Sequence, residues 1–291
     1  MILRVLLQAT ALLPLGVLHF AGAAVGRMTR RLSPRFRRLL SENLALSGLA
    51  PDPGLARERM ERRVAAEIGK GLLELPAVWF RSPRRVERLV VDAGEWRLVD
   101  EALRDGRGLL LLTPHLGCFE IAATYAALRL PLTVLYRPPK LSWLEPLMRA
   151  ARTRGQGRVA PTSLAGVRRL LKALRSGEAV GVLPDQVPGF GEGAWAPFFG
   201  RMAYTMTLIG RLQKATGCAV ILACSHRLPG GRGFRLEFEA VAEDLDGPEG
   251  PARLNRVVER VIGRCPEQYL WSYNRYKVPA GVMPPAQRES R

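Results

Sequence analysis

Cysteine and histidine are scarce, with four of the first and three of the second in 291 residues. Cys118, Cys218, Cys224 and Cys265 stand far apart, without metal-ligand spacing, and only His19, His115 and His226 could join them. The pattern therefore calls for no metal and for no disulfide framework, and scattered thiols fit a reducing compartment. Acidic residues are also few: 26 Asp and Glu against 44 Lys and Arg, a formal charge of +18. Such a surface suits an anionic partner, whether nucleic acid, lipid headgroup, acidic protein or membrane. Aromatics make up only 7%, and the basic residues of the body, from Arg27 to Lys277, mostly lack aromatic neighbours. That argues against a nucleic-acid surface built on stacking, so no nucleic-acid partner is expected. There is no internal repeat.

What is present is ample apolar material, 47% of the chain, enough for one sizeable core. One long apolar run stands out. Residues 5–25 are interrupted only by Gln8, Thr10 and His19 as polar groups, and as a helix they would extend about 31 Å, the thickness of a bilayer's hydrocarbon. Pro14, Gly16 and Gly22 weaken that helix and make an oblique or interfacial posture its rival. Ala21-Gly22-Ala23 has the form of a signal-peptidase site. Against cleavage, Arg27, Arg30, Arg31, Arg35, Arg37 and Arg38 follow the run whereas Arg4 alone precedes it, and such flanks stay cytoplasmic. We expect a retained membrane-anchor helix over residues 1–26 and an inner-membrane protein whose body, 27–291, faces the cytoplasm.

The body alternates. A helical stripe over 58–79 is followed by predicted strands at 108–113, 132–136 and 179–183, with helices at 117–128, 142–154 and 164–176 between and around them. Helix 205–216, strands 219–225 and 234–240 and helix 251–264 complete the pattern, and 188–197 is a Gly-rich, mobile loop. This is an α/β fold with a mixed central sheet flanked by helices.

Open α/β sheets bind ligands beyond the carboxyl ends of their strands. Three polar turns fall there: His115 after Leu109-Leu110-Leu111-Leu112-Thr113-Pro114, Tyr136-Arg137-Pro138, and Pro184-Asp185-Gln186. His115 and Glu120 are five residues apart, which on one regular helix would point them about 140° away from each other. With His115 on the turn and Glu120 in the first helical turn they can converge, as a base and its orienting acid. The alternative at this stage is a structural histidine at a strand end. Cys118 is a candidate nucleophile whose alternative is a small buried residue.

In order along the chain, these residues resemble the bacterial lipid A biosynthesis acyltransferases, the lauroyl and myristoyl transferases. The resemblance rests on a hydrophobic amino terminus, Asn43-Leu44, His115 to Glu120, Tyr136-Arg137-Pro138, and Arg152-Thr153-Arg154-Gly155. It continues through Gly177-Glu178, Pro184-Asp185-Gln186, Pro197-Phe198-Phe199-Gly200, Gln268-Tyr269-Leu270-Trp271 and Arg275-Tyr276-Lys277. Cys118-Phe119 and Tyr273-Asn274 depart from the family's usual Asn-Trp and His-Arg.

The resemblance implies transfer of a fatty acyl chain from acyl carrier protein, an acidic donor, to a hydroxyl of an anionic lipid A precursor, without a cofactor. Such a transfer needs a base for the hydroxyl proton, an orienter for the base and positive charge at the oxyanion, so His115 is expected as base and Glu120 as its orienter, with direct attack by the acceptor and no acyl-enzyme. The resemblance marks Arg152 as functional, and Asp185 joins these as a catalytic candidate. Arg152 would hold a sugar phosphate or the oxyanion, Asp185 would position an arginine or a sugar hydroxyl, its alternative being a helix cap or turn residue, and Arg137, Arg154 and Gln186 are candidates for substrate binding, the alternative for the two arginines being a solvated or structural role. Trp195, Phe198 and Phe199 are candidates for an acyl groove. Rival acceptors are glycerophospholipid, glycolipid or lipopeptide; the rival outside enzymes is a membrane-tethered anion-binding protein.

Overall fold

The computed structural model describes residues 7–139 and 141–285. A helical layer comes first: α1 (Leu15–Leu32), α2 (Pro34–Leu46), α3 (Leu55–Phe80) and the short α4 (Pro83–Glu87). The alternating part follows as β1 (Val90–Asp92), α5 (Arg97–Arg104), β2 (Leu109–Leu112), α6 (Phe119–Ala127), β3 (Leu132–Tyr136), α7 (Glu145–Arg152), β4 (Gly157–Pro161), α8 (Leu164–Arg175) and β5 (Ala179–Val182). A hairpin of β6 (Gly193–Phe198) and β7 (Arg201–Met206) leads to α9 (Leu208–Thr216), β8 (Ala219–Arg227), β9 (Phe234–Ala240) and α10 (Gly250–Arg264).

Seven strands form one mixed sheet in the order β1-β9-β8-β2-β5-β3-β4, parallel throughout except where β8 meets β9. The central strand explains its own sequence. All four residues of β2 are buried, and because side chains alternate across a sheet, Leu110 and Leu112 feed one core while Leu109 and Leu111 feed the other. The first core gathers Leu40 and Leu44 of α2, Leu170 and Leu174 of α8 and Val257 and Val261 of α10; the second takes Val78, Trp79 and Ile121. Helices on both faces require an apolar run rather than an alternating one.

The expected membrane-anchor helix is not what forms. Among the described residues no helix is long and apolar enough to cross a membrane. Pro14 stands at the start of α1, whose apolar portion before Arg27 is twelve residues, about 18 Å, too short for about 30 Å of hydrocarbon. Residues 1–6 of the expected run lie outside the described residues. The helix instead lays Leu15, Leu18, His19, Gly22, Ala23 and Gly26 inward, crossing α3 closely. A Cβ on Gly22 would stand 2.7 Å from the Gly69 carbonyl oxygen, so that crossing needs glycine.

The hairpin corrects two further readings. Part of the expected loop 188–197 is strand β6, and the start of the expected helix 205–216 is strand β7. The Trp195↔Tyr204 cross-strand pair, with ring centroids 5.4 Å apart, carries the hairpin despite its glycines.

Candidate active site

In the parallel register of β2 and β5, Leu112 pairs with Val182, and the Thr113 N–H still donates to the Val182 carbonyl at 3.0 Å. Three residues beyond that pair on each strand stand His115 and Asp185. Equal overhang from adjacent parallel strands brings the two together at one sheet edge. His115 Nδ1 lies 2.8 Å from Asp185 Oδ1, and the His115 backbone N–H donates to Asp185 Oδ2 at 2.9 Å. The carboxylate thus grips both ring and backbone.

Gln186 Nε2 lies 3.0 Å from His115 Nε2. A carboxylate only accepts and the amide nitrogen only donates, so the ring carries its proton on Nδ1 and presents a lone pair on Nε2. Burial would raise the Asp185 carboxyl, but the adjacent His115 ring and the His115 hydrogen bonds outweigh it and hold the carboxyl below its ordinary value. Asp185 is therefore an anion, suited to stabilise an imidazolium.

The turn is fastened from its other side. Gly117 adopts φ +59°, its N–H donates to the Gln268 carbonyl at 3.0 Å, and the Leu270 N–H donates to the His115 carbonyl at 3.1 Å. Leu116 and Tyr269 form an antiparallel bridge. A side chain at 117 would also collide with the Ser225 carbonyl on β8, so glycine is required twice over, by φ and by space.

Glu120 does not orient His115, contrary to expectation. Its carboxylate pairs with Arg152 and accepts from Trp79 Nε1 at 3.4 Å, deep in the protein. Glu120 stands in the first turn of α6, where Trp79 from the end of α3 and Arg152 from the end of α7 meet its carboxylate. Glu120 outweighs burial and holds the Arg152 guanidinium more firmly protonated than usual; the same cation lies 5.3 Å from the Tyr136 ring centroid. Arg154 is spent on α3, donating from Nη1 to the Val78 and Trp79 carbonyls at 2.9 and 3.1 Å and from Nη2 to that of Arg81. Those are the orphan acceptors of a helix end. Arg137 is exposed beyond β3.

A cavity of about 310 Å³ opens beside His115. Val25, Thr29, Phe36, Ile68, Leu72, Leu75, Phe119 and Leu270 give it apolar walls, and Arg227 and Glu67 stand in its lining. Trp195, Phe198 and Phe199, candidates for an acyl groove or for core packing, do not line it: Phe198 and Phe199 pack with Trp271 and Tyr276, and Trp195 Nε1 donates to the Met283 carbonyl. A second, small cavity of about 30 Å³ holds Glu120 and Arg152, and Phe119 lines both.

Sequence reasoning missed the floor of the large cavity. Arg227 donates to both oxygens of Glu74 at 2.7 Å and to Glu67 at 2.7 Å, while His19 Nε2 lies 2.9 Å from Glu74. Burial would raise the Glu74 carboxyl, yet Arg227 and His19 bring it down to about 2. Nothing local marks these residues in sequence, as they are distant along the chain. Cys118 sits beneath them; burial, then the Glu74 carboxylate, pushes its thiol well above the ordinary value, which disfavours a nucleophilic thiolate.

Comparison with known proteins places the chain in a family. Residues 2–278 match the family described as bacterial lipid A biosynthesis acyltransferase. The chain is 29% identical over 283 residues to the lipid A biosynthesis lauroyltransferase of Escherichia coli K12, covering 93% of this chain and 89% of that one. It is 30% identical over 271 residues to the palmitoleoyltransferase of the same strain, covering 91% and 86%. To the myristoyltransferase it is 25% identical over 259 residues, covering 86% and 77%. A family match over nearly the whole chain, with relatives of about 30% identity covered almost end to end, leads to one assignment: this chain belongs to the bacterial lipid A biosynthesis acyltransferases.

Proposed function

We propose that the protein moves a fatty acyl chain from acyl carrier protein to a hydroxyl of a lipid A precursor, at the cytoplasmic face of the inner membrane, with His115 as general base. The supporting observation is the His115 ring: Asp185 fixes its tautomer, Gln186 touches its free nitrogen, and it lines an apolar cavity.

In the proposed step the acceptor hydroxyl replaces the Gln186 amide at His115 Nε2. Its oxygen attacks the thioester carbon as the proton passes to Nε2, Asp185 stabilises the imidazolium, and the tetrahedral intermediate expels the thiolate, which takes that proton back. Two protein groups thus move one proton out and in, and no acyl-enzyme forms. The acyl chain occupies the cavity walled by Phe36, Ile68, Leu72 and Leu75. Glu120 and Arg152 brace α6 against α7 and keep Phe119 in place between the two cavities. The basic surface favours both the acidic carrier and the phosphorylated acceptor. Arg137, exposed at the same strand edge, contacts the acceptor.

Incubating purified protein with a series of acyl carrier protein thioesters and a tetra-acylated lipid A precursor, then weighing the products, tests this. A gain of one acyl mass with the lipid A precursor and none with a glycerol phosphate acceptor is expected; the reverse preference would refute it.

A further inference from the structure

Gly26, Gly69, Gly71 and Gly117 all stand in the wall of the cavity that reaches His115. Three of them are required by close backbone approach. A Cβ on Gly26 would strike the Ala65 carbonyl, one on Gly69 the Gly22 carbonyl and one on Gly117 the Ser225 carbonyl. Gly71 differs. Beyond its own turn of helix, a Cβ there would meet within 4 Å, among the described residues, only Arg227 Nη2, at the ordinary contact distance of 3.4 Å.

This glycine also stands where a helix tolerates one least. It lies in the interior of α3, without a positive φ to demand it, and only proline is a poorer residue there. What its missing side chain leaves is space. Glu67, Ile68, Gly71 and Leu75 recur at the three- and four-residue intervals that share one helical face, and all four line the cavity. A side chain at 71 would therefore enter the cavity, beside Arg227.

The floor next to that space is fixed. Arg227 donates from Nε and Nη2 to Glu74 and from Nη1 to Glu67, and stripping a buried guanidinium of such partners is costly. On the other side of α3, the crossing at Gly22, Gly26 and Gly69 prevents the helix from backing away. Neither wall yields, so the room over residue 71 is a hard limit.

We propose that Gly71 sets the length of the acyl chain that the protein accepts, the terminal methyl occupying the space over residue 71 and stopping against the cluster of Arg227, Glu74 and Glu67. The substrate in this inference rests on the acyl transfer proposed above, whereas the choice of residue rests on the cavity wall. A methyl group at 71 takes the place of the end of the chain. A leucine takes more, because helical side chains lean towards the preceding turn, here over Glu67 and Ile68.

Two series of saturated chains, from about eight to about sixteen carbons, test the limit: acyl carrier protein thioesters for turnover and free fatty acids for direct binding. Wild type should show one optimum. Gly71→Ala should lower the preference for that optimum over a chain about two carbons shorter by about tenfold, and Gly71→Leu should move the optimum itself about two to four carbons shorter. In urea, Gly71→Ala should be at least as stable as wild type, since alanine suits a helix, whereas Gly69→Ala should be less stable because it crowds α1.

An unchanged chain-length profile in a folded Gly71→Leu protein, or a stability loss in Gly71→Ala equal to that of Gly69→Ala, would overturn the proposal. If leucine prevents folding, the preference ratio of Gly71→Ala decides. The two readings can fail separately. Transfer by every variant with the wild-type optimum sinks the role of Gly71 alone, and a fatty-acid optimum that shortens in Gly71→Leu without transfer by any form supports it while refuting the proposed reaction.

Discussion

Two hydrogen-bonded side-chain pairs flank Phe119 and differ in what they leave free. Glu120 and Arg152 satisfy each other, with Trp79 on the second carboxylate oxygen. His115 and Asp185 also satisfy each other, but the ring's second nitrogen keeps a lone pair whose only partner among the described residues is a neutral amide, in a site adjoining a cavity. A buried pair closed on both sides holds structure; a pair with one replaceable contact can do chemistry. The acid five residues from the histidine in sequence belongs to the first kind, and the acid seventy residues away belongs to the second.

Removing the proposed base should break this contrast most severely. His115→Ala is expected to lower kcat/KM by about a thousandfold or more in a protein that still folds, with a loss in the urea midpoint because the buried Asp185 carboxylate loses its ring partner. Retained turnover would move the base elsewhere.

The fully closed cluster at the cavity floor provides the opposite case. Glu74→Ala leaves the buried Arg227 short of its bidentate partner and should cost about 3–5 kcal/mol of stability in urea melts. Its acid dependence has a definite sign. The folded carboxyl titrates at about 2, below its ordinary value of 4.5, so its contribution is complete above 4.5 and disappears as pH falls through about 2. Glu74→Gln should flatten the stability profile in that window.

Gln186 sharpens the comparison with the smallest effect. Because its amide must leave His115 Nε2 when the acceptor arrives, Gln186→Ala should alter kcat/KM by about tenfold or less, chiefly through KM. A thousandfold loss in kcat would give Gln186 a direct role in the transition state.

Much of the fold was legible. The apolar run of β2, the turns after β2 and β5, and the α/β alternation follow from periodicity, and His115, Asp185 and Gln186 were all placed at strand ends. Their partnership was not legible, because it depends on β5 lying beside β2 with β3 and β4 displaced to the far side, a long-range register that no local pattern encodes. The repeated form, Leu112-Thr113-Pro114-His115 and Val182-Leu183-Pro184-Asp185, is in hindsight its only local trace.

The amino terminus misled for a different reason. Composition registers that a helix is apolar, not what covers each face. Gly22, Gly26 and Gly69 allow the close crossing that turns half of a span-like sequence into protein interior.

The most direct measurement compares Asp185→Asn and Glu120→Gln in the same acyl-transfer assay, with stability measured alongside. Loss of the orienting carboxylate should cost about a thousandfold in kcat for Asp185→Asn, whereas Glu120→Gln should stay within about tenfold of wild type and appear mainly as lost stability. The reverse order, with Asp185→Asn nearly active and Glu120→Gln dead but fully folded, would contradict the assignment of Asp185 as the partner of the base.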